Sequence, residues 1–174
     1  MRLNHRSCYG QKKLFLSALH IQALMGRIED ASNRWRTADD LLQRNDYAGA
    51  IREAQACVEL SLKALLDHLG IDYTIKREKS GRISIPHDVS DKIPQAFEKI
   101  KVKLKDHEIE DIKRQLARAA TLLKLLTPIV EDTEYGIKEM QVGASDIFGV
   151  DFKGFAEFSV NFARSVFIYM DTLI

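Results

Sequence analysis

Cysteine is scarce in this chain of 174 residues, which holds only Cys8 and Cys57. They lie far apart and form no CxxC or Cys/His spacing. That argues against a disulfide framework or a structural zinc site, and for a reducing compartment such as the cytoplasm. Charge of one sign is also lacking. The 26 Lys and Arg residues meet 25 Asp and Glu, so the overall field steers the chain toward neither nucleic acid nor membrane. A polyanion could be held only by a local patch. Long apolar runs are missing too, and no stretch suffices to span a bilayer. Arg2, Arg6, Lys12 and Lys13 precede the run from Leu14 to Leu19, as in a secretion signal. His20 and Gln22 interrupt that run and no clean small-x-small cleavage site follows, which disfavours export. Glycine-rich phosphate loops, HExxH and GxSxG are absent, and no His, Cys or carboxylate set has metal spacing. Neither metal nor cofactor is expected. There is no strand-like alternation, internal repeat or low-complexity segment.

What remains is helical periodicity in an amount of chain that suits one domain, with 45% apolar residues. Leu14, Ala18, Ile21, Met25 and Ile28 recur at spacings of four and three, and Trp35, Ala38, Leu41 and Leu42 continue the pattern. This predicts a first helix from near Gln11 to Arg44, with Gly26 marking a bend or break and residues 1–10 loose. Asn45 or Asp46 can cap the next helix. Its stripe of Ile51, Ala54, Val58, Leu62, Leu65 and Leu69 is widened by Ala50, Cys57, Leu60 and Ala64, which makes it central. Gly70 suits the left-handed position beyond its end. Residues 71–86 read as a loop in which Lys76, Arg77, Lys79 and Arg82 face Glu78 alone. It is either a solvated loop or a clamp for phosphate. A third helix is expected from Ile93 or Pro94 to Leu104. A fourth, capped by Asp106, has the stripe Ile109, Ile112, Leu116, Ala119, Leu123 and Leu126, and Thr127-Pro128 ends or kinks it. Residues 128–150 are ambiguous.

The last helix is expected from Asp151 to Leu173. Ala156, Ser159, Ala163, Val166, Met170 and Leu173 give it one face, and Phe155, Phe158, Phe162 and Tyr169 a second, aromatic one. Two apolar faces mean either deep burial within the subunit or a subunit interface. Chemistry is otherwise thinly signalled. His5, His20, His68 and His107 are scattered and read as surface or capping residues. Cys57 reads as a small core residue, and Glu59 with Lys63 as a helix-surface ion pair.

One segment carries more than helix signals. Residues 35–42 read W-R-T-A-D-D-L-L, residues 46–55 D-Y-A-G-A-I-R-E-A-Q, residues 56–66 A-C-V-E-L-S-L-K-A-L-L, and residues 86–90 P-H-D-V-S. This resembles the HEPN (higher eukaryotes and prokaryotes nucleotide-binding) superfamily, with its "D-Y-x-x-A", its "A-x-E-x-x-L-K-A-L-L" second helix and its "H-D" opening the third. The resemblance covers residues 33–174. It implies an all-α, up-and-down bundle of four to five helices that forms a two-fold homodimer through its late helices. It further implies nucleotide or RNA binding and, in many members, pairing with a small nucleotidyltransferase as a toxin–antitoxin couple.

Ribonuclease members of that superfamily carry R-x4-6-H on the last helix. Here the matching segment is R-S-V-F-I-Y, from Arg164 to Tyr169, so tyrosine stands where histidine is expected. Cleavage through the RNA 2′-hydroxyl needs proton transfer near neutral pH. An imidazole titrates there, whereas an unperturbed phenol has a pKa near about 10. Positions five apart on a helix point about 140° from each other, so a shared site would need both helices of a dimer. Three readings follow. The chain is a binding or scaffold module without catalysis; or an endoribonuclease toxin using Arg164, with Asn161 and Tyr169; or a purely structural interaction protein. Arg164 could hold phosphate through paired hydrogen bonds or be an ordinary helix-surface arginine near Glu157, Asn161 and Asp171.

Overall fold

The computed structural model describes residues 6–73, 86–135 and 149–174, with side chains from residue 22 onward except 130–135 and 150. Among these residues five α-helices follow in order: α1 (Arg6–Gln43), α2 (Tyr47–His68), α3 (Ile93–Lys101), α4 (Asp106–Tyr135) and α5 (Lys153–Leu173). Short 3₁₀ turns at Ser90–Lys92 and Val150–Phe152 lead into α3 and α5. No strand occurs among the described residues.

The first helix starts at Arg6, so residues 6–10, expected to be loose, continue the helix. It also passes Gly26 without the expected break; a Cβ there would meet nothing within 4 Å, so that glycine serves no close approach. The inner row is Leu24, Ile28, Ala31 and Ala38, with Trp35 and Leu42 partly buried. Met25, assigned to the stripe, is 61% exposed, and Leu24 takes the inward position. Two adjacent apolar residues cannot both face one direction, and only the neighbouring helix decides between them.

The turn into α2 is tight. Asn45 adopts φ 61°, a left-handed conformation that asparagine tolerates, and its side-chain oxygen accepts from the Tyr47 hydroxyl at 2.9 Å. Asp46 caps α2 by accepting from the Gly49 N–H at 2.9 Å. A Cβ on Gly49 would fall 2.6 Å from that carboxylate, so the glycine makes room for the cap. At the other end Gly70, at φ 62°, donates to the Asp67 carbonyl while Ile71 donates to Leu66. This Schellman arrangement closes the helix, and the buried Leu66 and Ile71 seal it.

The third helix carries Pro94 in its first turn and ends at Lys101, earlier than Leu104. Asp106 is the first residue of α4 rather than its cap: the Glu108 carboxylate accepts from the Lys105 N–H at 2.8 Å, one half of a capping box. The fourth helix does not stop at Thr127-Pro128 but runs through to Tyr135, with the Thr127 hydroxyl bonded to the Leu123 carbonyl at 2.8 Å. Proline removes one rung and hinders the preceding turn, but a helix with a buried flank can absorb that cost of about 3 kcal/mol. The basic residues Lys76, Arg77, Lys79 and Arg82 lie outside the described residues, as does most of the ambiguous 128–150 stretch.

The second helix is the axis of the bundle. It packs against α1, α4 and α5. Ile51, Val58, Leu62, Leu65 and Leu66 are completely buried and meet Leu116, Leu123 and Leu126 of α4 and Ala163 and Met170 of α5 in one cluster. The Cys57 thiol donates to the Ala163 carbonyl at 3.7 Å, so small residues let α2 and α5 approach closely. Burial pushes that thiol up to about 12, consistent with the inert core role expected of it.

Candidate functional site

Polar chemistry gathers in two places. The first lies on α2, where Glu53, Gln55, Glu59 and Lys63 are buried although the helix is mostly apolar. The Glu59 carboxylate is the hub. It accepts from Lys63 Nζ at 2.5 Å and from Gln55 Nε2 at 3.2 Å, and His87 Nδ1 lies 3.0 Å from its second oxygen. This corrects the expectation of a helix-surface pair: the Glu59 and Lys63 side chains are only 11% and 5% exposed. The pair is flanked by groups from outside α2, with His87 at Glu59 and Tyr73 near Lys63. Tyr73 is itself buried, with Lys63 and Arg27 placed near its ring at 6.0 and 5.9 Å. Arg27 pairs with Asp67 at 2.6 Å. Burial, then the charge of Asp67, pushes the Tyr73 phenol up to about 12. Glu53 is held by Arg34 at 2.7 Å, and that bond raises the arginine's pKa above its ordinary value. His87 is the exposed end of the system: 79% of its side chain is open to solvent. With Nδ1 protonated it donates to Glu59, and Nε2 is left facing water.

The second place is α5. Its buried face of Ala156, Ser159, Val160, Ala163, Val166 and Met170 packs inward, while Asn161, Arg164 and Ser165 are exposed. Arg164 and Tyr169 are not brought together within the chain. The Arg164 guanidinium sits 5.1 Å over the Trp35 ring, on the α1 side. Tyr169 lies half-buried on the α4 side, lining a cavity of about 270 Å3 with Gln115 and Arg118 of that helix. Burial, then the charge of Asp111, pushes its phenol up to about 12. Asn161 offers its backbone carbonyl to the Ser165 hydroxyl at 3.0 Å, and Glu157 pairs with Lys153 rather than Arg164. Phe158 stays 50% exposed beside Phe162, their rings 5.7 Å apart, and Ile168 is also 50% exposed. The aromatic face is thus neither fully buried nor fully free.

This bundle, with its capped D-Y-A-G-A turn and its E-L-S-L-K-A-L-L axis, is matched over residues 25–171 by the family model described as HEPN domain. The chain belongs to the HEPN family. Its all-helical bundle is that family's fold, and the family is generally linked to nucleotides and RNA. No curated protein and no solved structure matches the chain. Among the described residues no helix of this HEPN domain is long and apolar enough to cross a membrane, and no group of three or more His, Cys, Asp or Glu could hold a metal ion.

Sequence reasoning placed Arg164 and Tyr169 on separate sides of one helix, and they are so placed. It missed the Glu59–His87 contact, although both residues stand in the segments that carry the family resemblance. Twenty-eight positions separate them, and no local spacing rule connects a helix interior to a loop at that range. It also missed Gln115 and Arg118, which in the α4 pattern look like ordinary solvent-facing positions.

Proposed function

We propose that this HEPN domain is a nucleotide- or RNA-binding scaffold that does not cleave RNA. In this reading it works in the cytoplasm as a homodimer through α5 and pairs with a small nucleotidyltransferase. The observation that carries it is Tyr169. It occupies the histidine position of R-x4-H, and a phenol held near about 12 keeps its proton at neutral pH, so it supplies no general base there. Arg164 remains exposed and cationic, able to meet a phosphate, but its resting contact is Trp35. The half-exposed Phe158 and Ile168 favour a second copy as the cover for α5.

The test combines binding and cleavage. Purified protein should size as a dimer and bind single-stranded RNA with affinity that falls as salt rises. It should leave labelled RNA intact over hours. A monomer that ignores RNA and nucleotides would instead match a purely structural helical protein. Asn161 and Arg164 are exposed three residues apart on α5, which favours a second reading, the endoribonuclease toxin with Tyr169 as helper. Metal-independent cleavage abolished by Arg164→Ala would establish that reading over ours.

A further inference from the structure

The cavity between α4 and α5 is not on the Arg164 side of α5, and Tyr169, at the histidine position of R-x4-H, lines it. Its floor is apolar, made by Val166 and the fully buried Met170, with the Phe162 ring beside them. Its rim is polar: Arg118 and Gln115 from α4, the Tyr169 phenol from α5. Arg118 is exposed and Gln115 half-buried, and among the described residues neither has a hydrogen-bond or ion-pair partner. The two ends of the groove differ. Asp111 acts on Tyr169 at one end. Arg118, seven residues further along the same face of α4, stands about 10 Å away along the helix axis. At about 270 Å3 the groove is slightly below the range of about 300–1,000 Å3 usual for drug-sized ligands, too small for a helix or a folded peptide.

We infer that this groove takes one nucleotide unit, its base against Tyr169 and Phe162 and its phosphate on Arg118. A planar, amphipathic base suits an apolar floor with an aromatic wall. The exposed Arg118 guanidinium can supply paired donors to phosphate oxygens, at the end remote from Asp111. Gln115 lies between, with an amide that can both donate to and accept from a base edge. The inference rests on the nucleotide- or RNA-binding reading and gives it a place. The unit can be a free mononucleotide or one residue of an RNA strand.

The experiment titrates 5′-AMP and a single-stranded oligoadenylate into the full-length protein by calorimetry. Variants are Arg118→Gln, Tyr169→Ala and, as reference, Lys113→Gln on another face of α4. AMP should bind to the wild type, with Kd raised about tenfold or more by either groove variant and moved less than about twofold by Lys113→Gln. Displacement of AMP by the oligoadenylate identifies an RNA strand as the source, and absence of displacement a free nucleotide. Arg118→Gln alters an exposed position and leaves the fold intact by circular dichroism. Should Tyr169→Ala unfold, Tyr169→Leu fills the space without the ring and serves instead. AMP binding unchanged in both groove variants overturns the inference. So does RNA binding that ignores both variants while AMP fails to bind, an outcome that leaves the RNA-binding reading standing. Failure of the wild type to bind either probe removes both.

Discussion

The polar face of α2 and the outer flanks of α5 carry similar residue types in opposite conditions. On α2, Glu59 is buried and every neighbour that reaches it is a donor: Lys63, Gln55 and His87. On α5, Arg164 rests on an indole face, and Tyr169 lines an open groove beside Gln115 and the exposed Arg118 of α4. An ionised carboxylate taken out of water is costly unless it is paired and hydrogen-bonded. A surface guanidinium needs no such company. The first region is therefore committed to holding the bundle, and the second is left with donors to spend on a ligand. The difference also separates two kinds of evidence. Family-motif residues mark the α2 cluster, whereas in the groove beside α5 Tyr169 stands at a motif position but Gln115 and Arg118 join it only in three dimensions.

The sharpest way to break this contrast is at Glu59. Glu59→Ala strands the Lys63 ammonium in a buried site and should cost about 3–5 kcal/mol, read from the urea midpoint. The double change Glu59→Leu with Lys63→Met should recover most of that loss, because an apolar pair of similar volume needs no counter-charge. If Glu59→Ala alone proves neutral, the cluster is not structural and becomes the better candidate site.

A smaller effect is expected at Tyr73. Its phenol is held up to about 12, against an ordinary value near about 10, so the folded state keeps a proton that the unfolded chain releases. The associated stabilisation is complete below pH of about 10 and is lost as pH climbs toward about 12. Urea midpoints should be flat near neutrality and fall across that alkaline window. Tyr73→Phe should shallow the fall and cost about 1 kcal/mol at neutral pH. A fall of the same depth in Tyr73→Phe would place the titration elsewhere, with Tyr169 the next group to remove.

The smallest effect belongs to Arg164. Loss of its contact with Trp35 in Arg164→Ala should lower stability by about 0.5–1 kcal/mol, with quenching of the single tryptophan altered in parallel. If stability drops by several kcal/mol, Arg164 belongs with the α2 cluster as a framework residue and the contrast drawn above collapses.

Much of the bundle was legible because its signals are local. The α2 stripe, the Asp46 cap and the Gly70 stop each depend on residues within a few positions. Other departures came from tertiary packing. At Met25 the neighbouring helix decided which of two adjacent apolar residues faces inward, and at Thr127-Pro128 the helix continues past a proline that can kink it. At Glu59 and Lys63, an expected surface pair is an interior one, with His87 and Tyr73 brought to it from distant positions.

The sequence by itself determined the helical character of the chain, the central place of α2 and the tyrosine at position 169, since periodicity and residue identity need no partner to be read. Only the tertiary structure decided which polar groups are buried and paired and which stand open. Burial is a property of what lies across from a side chain, and that neighbour is set by how the helices dock.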